Sequence, residues 1–140
     1  MIHNKSQALT DATIMMVDDE PLEMEVIQIF LQRLGYHRFI TIEEAPMAMS
    51  TIMKYRPDIV LLDLLMPDIS GFDLLGSIRA NDELGGLPVI VLTSSSEADT
   101  KQKVMQLGAT DFLAKPVDAS ELALRLRNTL AASAYTPHST

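Results

Sequence analysis

The sequence predicts an α/β fold of five successive βα units, and three observations predict it. Short apolar runs alternate with segments of helical period along most of the chain. Two of the runs, Ile59-Val60-Leu61-Leu62 and Val89-Ile90-Val91-Leu92, are apolar throughout, as befits central parallel strands covered on both faces. Four runs end in polar residues of differing chemistry: Asp18-Asp19-Glu20, Asp63, Thr93-Ser94-Ser95 and Lys115-Pro116.

Taken in order, Met1 to Asp11 is polar and aperiodic and is expected to be a flexible leader. The domain is expected over residues 12–132, with 133–140 a tail or the start of a linker. Ile14-Met15-Met16-Val17 is the first strand. Pro21 opens a helix at a position where its missing N–H costs nothing. Leu22, Val26, Ile27, Phe30, Leu31 and Leu34 recur at helical spacing, and Gly35 stops the helix. Phe39-Ile40-Thr41-Ile42 is a short second strand, and Pro46 to Tyr55 a second helix carrying Met47, Met49, Ile52 and Met53. Arg56-Pro57-Asp58 turns into the third strand, which ends at Asp63. A loop from Leu64 to Ser70, punctuated by Pro67 and closed by Gly71, leads to a third helix from Phe72 to Ala80. Pro88 precedes the fourth strand. Ser96 with Asp99, and Asp118 with Glu121, are spaced as capping boxes for a fourth helix ending at Gly108 and a fifth carrying Leu122, Leu126 and Leu130. Asp111 to Ala114 lies between them as the fifth strand.

Parallel neighbours joined by helical crossovers give a three-layer α/β/α sandwich. Among doubly wound strand orders, the flavodoxin-like 2-1-3-4-5 suits five strands and sets the first and third side by side. Asp18, Asp19 and Asp63 then become neighbours at the switch point, where such sheets place their ligands.

Composition narrows the function. The chain has 140 residues, 47% hydrophobic, with 19 acids against 11 Lys plus Arg. A net charge of −8 disfavours a nucleic-acid backbone as partner. Cysteine is absent, which rules out disulfides and thiolate metal sites and fits a reducing compartment. The apolar runs are strand-length, far short of a membrane span, and the start of the chain lacks the apolar centre of a secretion signal. A cytoplasmic location is expected.

Each polar strand end has an ordinary explanation when taken alone. Asp18 and Asp19 could be solvated strand ends or N-terminal charge for the following helix. Thr93 could be a turn hydroxyl, Lys115 a solvated lysine and Phe112 plain core packing. Together they are more specific. Crowded carboxylates repel one another, and a hard divalent cation such as Mg²⁺ removes the conflict while leaving coordination positions for phosphate oxygens.

Val17-Asp18-Asp19, Leu61-Leu62-Asp63-Leu64-Leu65-Met66-Pro67-Asp68-Ile69-Ser70-Gly71, Val91-Leu92-Thr93-Ser94 and Phe112-Leu113-Ala114-Lys115-Pro116 closely resemble the receiver domain of bacterial two-component response regulators. The likeness runs from about Thr13 to Leu130. It implies that Asp63 is the phosphoacceptor, taking a phosphoryl group from the phosphohistidine of a sensor histidine kinase or from a phosphotransfer protein to form an aspartyl phosphate. Mg²⁺, or Mn²⁺ in its place, would be held by Asp19 directly, by Asp18 mainly through water, by Asp63 and by the backbone carbonyl of Leu65. Thr93 and Lys115 would hold the phosphoryl oxygens. The likeness further implies a cis Lys115-Pro116 bond and a switch in which Thr93 and Phe112 move together. Many relatives carry tyrosine at the position of Phe112, so any switching here must run through packing without a hydroxyl. Leu65 and Ser95 would flank the route of a hydrolytic water and tune the lifetime. The fourth helix, fifth strand and fifth helix would form the output face toward an unidentified effector domain or protein, and offer a route to a homodimer. The first helix would meet the kinase.

Other classes remain in view. A flavin carrier would need a glycine- or hydroxyl-rich loop after the first strand, where Asp18-Asp19-Glu20-Pro21 has the wrong charge. An aspartyl-phosphate phosphatase would need a general acid and a substrate pocket. An interaction module working without phosphorylation is the main alternative. Turnover of an external substrate is not expected.

Overall fold

The computed structural model describes residues 9–66, 70–94 and 98–133. Among them, five strands form one parallel sheet in the order β2-β1-β3-β4-β5. They are β1 (Thr13–Val17), β2 (Arg38–Ile42), β3 (Ile59–Asp63), β4 (Val89–Thr93) and β5 (Asp111–Ala114). The helices between and after them are α1 (Pro21–Arg33), α2 (Ala48–Tyr55), α3 (Gly71–Ala80), α4 (Ala98–Gln106) and α5 (Ala119–Ala132). The expected flavodoxin-like order is therefore the observed one.

Strand periodicity divides the core in two. Ile14, Met16, Ile59, Leu61, Ile90, Leu92 and Leu113 face one way, onto Met24 and Leu31 of α1 and Leu122, Leu126 and Leu130 of α5. Met15, Val17, Val60, Leu62, Val89 and Val91 face the other way, onto α2 (Ala48, Ile52), α3 (Leu74, Leu75, Ile78) and Val104 of α4. Every residue of β3 and β4 is buried, which explains why these two runs contain no alternating polar positions.

Several local expectations are corrected. In α1 the buried residues are Met24 and Leu31, with Ile27 and Phe30 half-buried, whereas Leu22 and Val26 are 74% and 67% exposed. The helix turns a different stripe toward the sheet than the apolar spacing suggested. The second helix begins as a 3-10 turn at Ala45–Met47, and Arg56, in the left-handed region at φ 49°, caps the end of α2. Leu9, expected within a flexible leader, is buried in the α1/α5 core, and its carbonyl accepts from the Ala12 N–H. The packed chain thus reaches back beyond Ala12. Ser70 caps α3 by accepting from the Asp73 N–H, and Asp118 caps α5 by accepting from Ser120 and Glu121. Ser96 of the other expected box lies outside the described residues.

Candidate functional site

Sheet register brings the strand ends together. Val17 pairs with Leu62, so the residues that follow, Asp18 and Asp63, come side by side. Asp63 is opposite Leu92 and Thr93 opposite Ala114, which steps the edge along to Lys115. The Lys115 N–H donates to the Thr93 carbonyl at 2.7 Å, carrying the ladder one residue past β5. The bond between Lys115 and Pro116 is cis.

Oxygens of Asp18, Asp19 and Asp63 lie within 4.8 Å of one another. Asp18 and Asp63 are 4% and 5% exposed, Asp19 is exposed, and Thr93 is fully buried. Asp18 accepts from the Glu20 N–H at 2.9 Å, and Asp63 more distantly from the Leu65 N–H at 3.4 Å. The Lys115 ammonium is 3.3 Å from Asp18 Oδ2 and 3.3 Å from Asp63 Oδ1. Its shortest contact is to Glu23 Oε2 on the first turn of α1, at 2.7 Å.

The electrostatics follow from this crowding. Burial pushes the Asp18 carboxyl up to about 7, against the Glu20 N–H, and the charge of Asp63 adds to the rise. Burial likewise raises Asp63, with Lys115 opposing. For Lys115, burial works downward, but the Glu23 hydrogen bond and the charges of Asp18 and Asp63 outweigh it and lift the ammonium above its usual value. Glu23 is lowered, chiefly by its bond to Lys115. The three aspartates offer only hard oxygen donors, two of them buried at a cost that a dication would offset. The donor set fits Mg²⁺ or Mn²⁺.

The expected residues Asp18, Asp19, Asp63, Thr93 and Lys115 thus gather at one edge. Leu65 lies beside them with an exposed side chain. Phe112 is half-buried against the α2/α3/α4 core. Ser95 lies outside the described residues. Sequence reasoning missed Glu23, which contributes through a contact 92 positions away in the chain. The local signal was an acid on the first turn of a helix, which ordinarily serves the helix dipole. Beside this ion pair, Leu22, Val26, Ile27, Pro116 and Val117 line an open apolar groove of about 320 Å³.

A five-stranded parallel sheet in the order 2-1-3-4-5, with an acidic cluster and a lysine at its carboxyl edge, is an architecture shared with the receiver domains of response regulators. Residues 14–127 match the family model of the response regulator receiver domain, and the chain belongs to that family. It is 34% identical over 118 residues to the phosphate regulon transcriptional regulatory protein PhoB of Pseudomonas aeruginosa, covering 84% of this chain and 51% of PhoB. The chain spans about half the length of that curated relative. Among solved structures it resembles the chemotaxis response regulator CheY4 of Vibrio cholerae, with TM-score 0.78 and 27% identity over 85% of this chain and 98% of that one. It also resembles the receiver domain of a sensor histidine kinase from Pseudomonas aeruginosa PAO1, with TM-score 0.78 and 29% identity over 87% of this chain and 99% of the other. That structure carries a magnesium ion coordinated in its active-site cleft. Among the described residues of the present chain, no helix is long and apolar enough to cross a membrane.

Proposed function

We propose that the protein is a phosphorylation-activated switch in which Asp63 is the phosphoacceptor. The observation that carries this reading is the meeting of three aspartates within 4.8 Å, with the Lys115 ammonium 3.3 Å from Asp63. A carboxylate oxygen of Asp63 attacks the phosphorus of a kinase phosphohistidine. The P–N bond breaks, its electron pair stays on the imidazole, and an acyl phosphate forms. Such transfer asks the protein mainly for positioning and for neutralising charge on the phosphoryl oxygens.

Each residue then has a task. Asp18, Asp19, Asp63 and the backbone carbonyl of Leu65 would hold Mg²⁺. When bound there, the ion would supply positive charge that offsets the crowded acids and the phosphoryl oxygens. Lys115 balances Asp63 before transfer and binds a phosphoryl oxygen afterwards, while the Thr93 hydroxyl donates to another. Movement of Thr93 toward the phosphoryl group makes room for Phe112 to turn inward. That repacking alters the face built from α4, β5 and α5, where an effector domain, an effector protein or a second copy would read it.

The donor is a sensor histidine kinase or a phosphotransfer protein. The exposed Leu22 and Val26, with the groove beside Lys115, give α1 an apolar surface suited to such a partner next to the phosphoacceptor.

Mass spectrometry after incubation with acetyl phosphate and Mg²⁺ tests the proposal. One phosphoryl adduct, lost in Asp63→Ala and in the presence of chelator, is expected. An unmodified wild-type protein would instead favour a module that binds partners without phosphorylation, and continuous release of phosphate from added phosphate esters would favour a phosphatase.

A further inference from the structure

The family roles assigned above leave Glu23 without one, although it makes the shortest contact to Lys115. An ammonium has three N–H donors, and three carboxylates surround this one: Glu23 at 2.7 Å and Asp18 and Asp63 at 3.3 Å each. The three acids differ in character. Asp18 and Asp63 are buried among the proposed metal ligands, whereas the Glu23 side chain is 39% exposed and rides on a helix. Lys115 itself is only 15% exposed, so water offers it little alternative. The stronger bond therefore runs toward α1 and away from the phosphoacceptor.

We infer that Glu23 is a positioning residue for Lys115, holding the ammonium toward α1 in the resting protein and restraining its approach to Asp63 and to a phosphoryl group carried there. The inference rests on the proposed role of Asp63. Glu23 competes for the same cation that phosphorylation must recruit. Two consequences of opposite sign follow from loss of its charge. Lys115 moves toward Asp18 and Asp63, where it opposes a dication. It also stands closer to the oxygens of a phosphoryl group, which it helps to bind.

Glu23→Gln tests this, since it keeps the size and an acceptor oxygen while removing the charge. Mg²⁺ affinity is expected to fall about three- to tenfold, the scale of one partly screened charge-assisted hydrogen bond. Affinity for beryllofluoride, a tetrahedral mimic of a phosphoryl group, measured at saturating Mg²⁺, is expected to rise by about the same factor. Glu25→Gln, an identical charge change two residues along α1, controls for net charge and should leave both affinities nearly unaltered. In the metal-free protein the Lys115 ε-nitrogen resonance should shift with Glu23→Gln and stay in place with Glu25→Gln. Over Lys115→Ala, where only the direct contact of Glu23 with Asp18 remains, the change in Mg²⁺ affinity caused by Glu23→Gln should be clearly smaller than in the wild type.

A wild-type protein that binds neither beryllofluoride nor a phosphoryl group would overturn the phosphoacceptor reading, and this inference with it. A competent wild type in which Glu23→Gln matches Glu25→Gln, or moves both affinities in one direction, would overturn the inference alone.

Discussion

Gly71 rests directly on the backbone that follows Asp63. A Cβ at this position would come within 2.6 Å of Leu64 Cα, 2.8 Å of the Asp63 carbonyl oxygen and 2.9 Å of the Leu64 carbonyl oxygen. The Gly71 N–H donates to that Leu64 oxygen at 2.9 Å, so the first turn of α3 is seated on the loop that follows Asp63, the proposed phosphoacceptor. The three nearest atoms a methyl would meet are all backbone, and none can rotate away.

Gly71→Ala should therefore displace the loop at Asp63 and cost about 1–3 kcal/mol of stability through overpacking. Urea unfolding measures the cost, and acetyl phosphate uptake at a temperature where the variant stays folded measures the displaced loop. Gly76→Ala, in the middle of α3 with open space around its Cβ, should instead raise stability by about 0.5–1 kcal/mol and leave acetyl phosphate uptake unchanged.

The raised Asp18 carboxyl makes the ion-free protein sensitive to pH. Its folded value of about 7 lies above the ordinary 3.8, so the folded state holds the proton more tightly than the unfolded chain. The associated stability is fully present below about 4 and is lost as pH rises through about 7. Asp63 shifts in the same direction and reinforces the trend. Glu23, shifted downward, acts only at the acid end, below its ordinary 4.5. In chelator, the melting temperature should decline from pH 5 to pH 8, and Asp18→Asn should flatten that slope. Mg²⁺ affinity should climb over the same range, because the ion must displace the proton from Asp18. A slope unaffected by Asp18→Asn would contradict the assignment.

Arg79 stabilises the opposite end of the sheet. Its guanidinium donates to the carbonyls of Gly108 and Leu87, each at 2.7 Å, and Gly108 adopts φ +106° against its side chain. Lysine cannot reproduce that planar fork. Arg79→Lys should cost about 1–3 kcal/mol in urea unfolding, the scale of hydrogen bonds from a charged donor. Phosphoryl uptake should be unaltered, since the site lies at the other edge of the sheet.

Leu65 stands two residues beyond Asp63 with its side chain 56% exposed. An aliphatic side chain there cannot orient a hydrolytic water and would shield the proposed acyl phosphate from it. Leu65→Asn should shorten the phosphorylation half-life several-fold, followed as loss of the adduct after the phosphodonor is removed. An unchanged half-life would show that Leu65 does not govern the lifetime of the phosphorylated form.

The strands were legible because covered parallel strands tolerate only apolar residues, and the end of each such run marks the edge where polar groups can appear. Asp63 and Thr93 stand out by this contrast alone. Facing was less legible in α1, because Leu22 and Val26 satisfy helical spacing yet remain exposed. Apolar spacing reports a stripe without saying what covers it. Leu9 is one apolar residue in a polar stretch, which gives no local sign that the α1/α5 core buries it. Gly71 read as turn punctuation, since its close approach depends on how α3 docks. Glu23 was hidden for a similar reason. Its partner arrives from the far end of the chain, and nothing local to α1 announces it.

The backbone bond from Lys115 to the Thr93 carbonyl couples the tips of β4 and β5 beyond their last regular pair. A shift that drew the Thr93 hydroxyl inward would drag the lysine's main chain along. The two donors proposed for the phosphoryl group would then travel as a single jaw, and strand four could not advance without the segment leading into α5 being pulled after it.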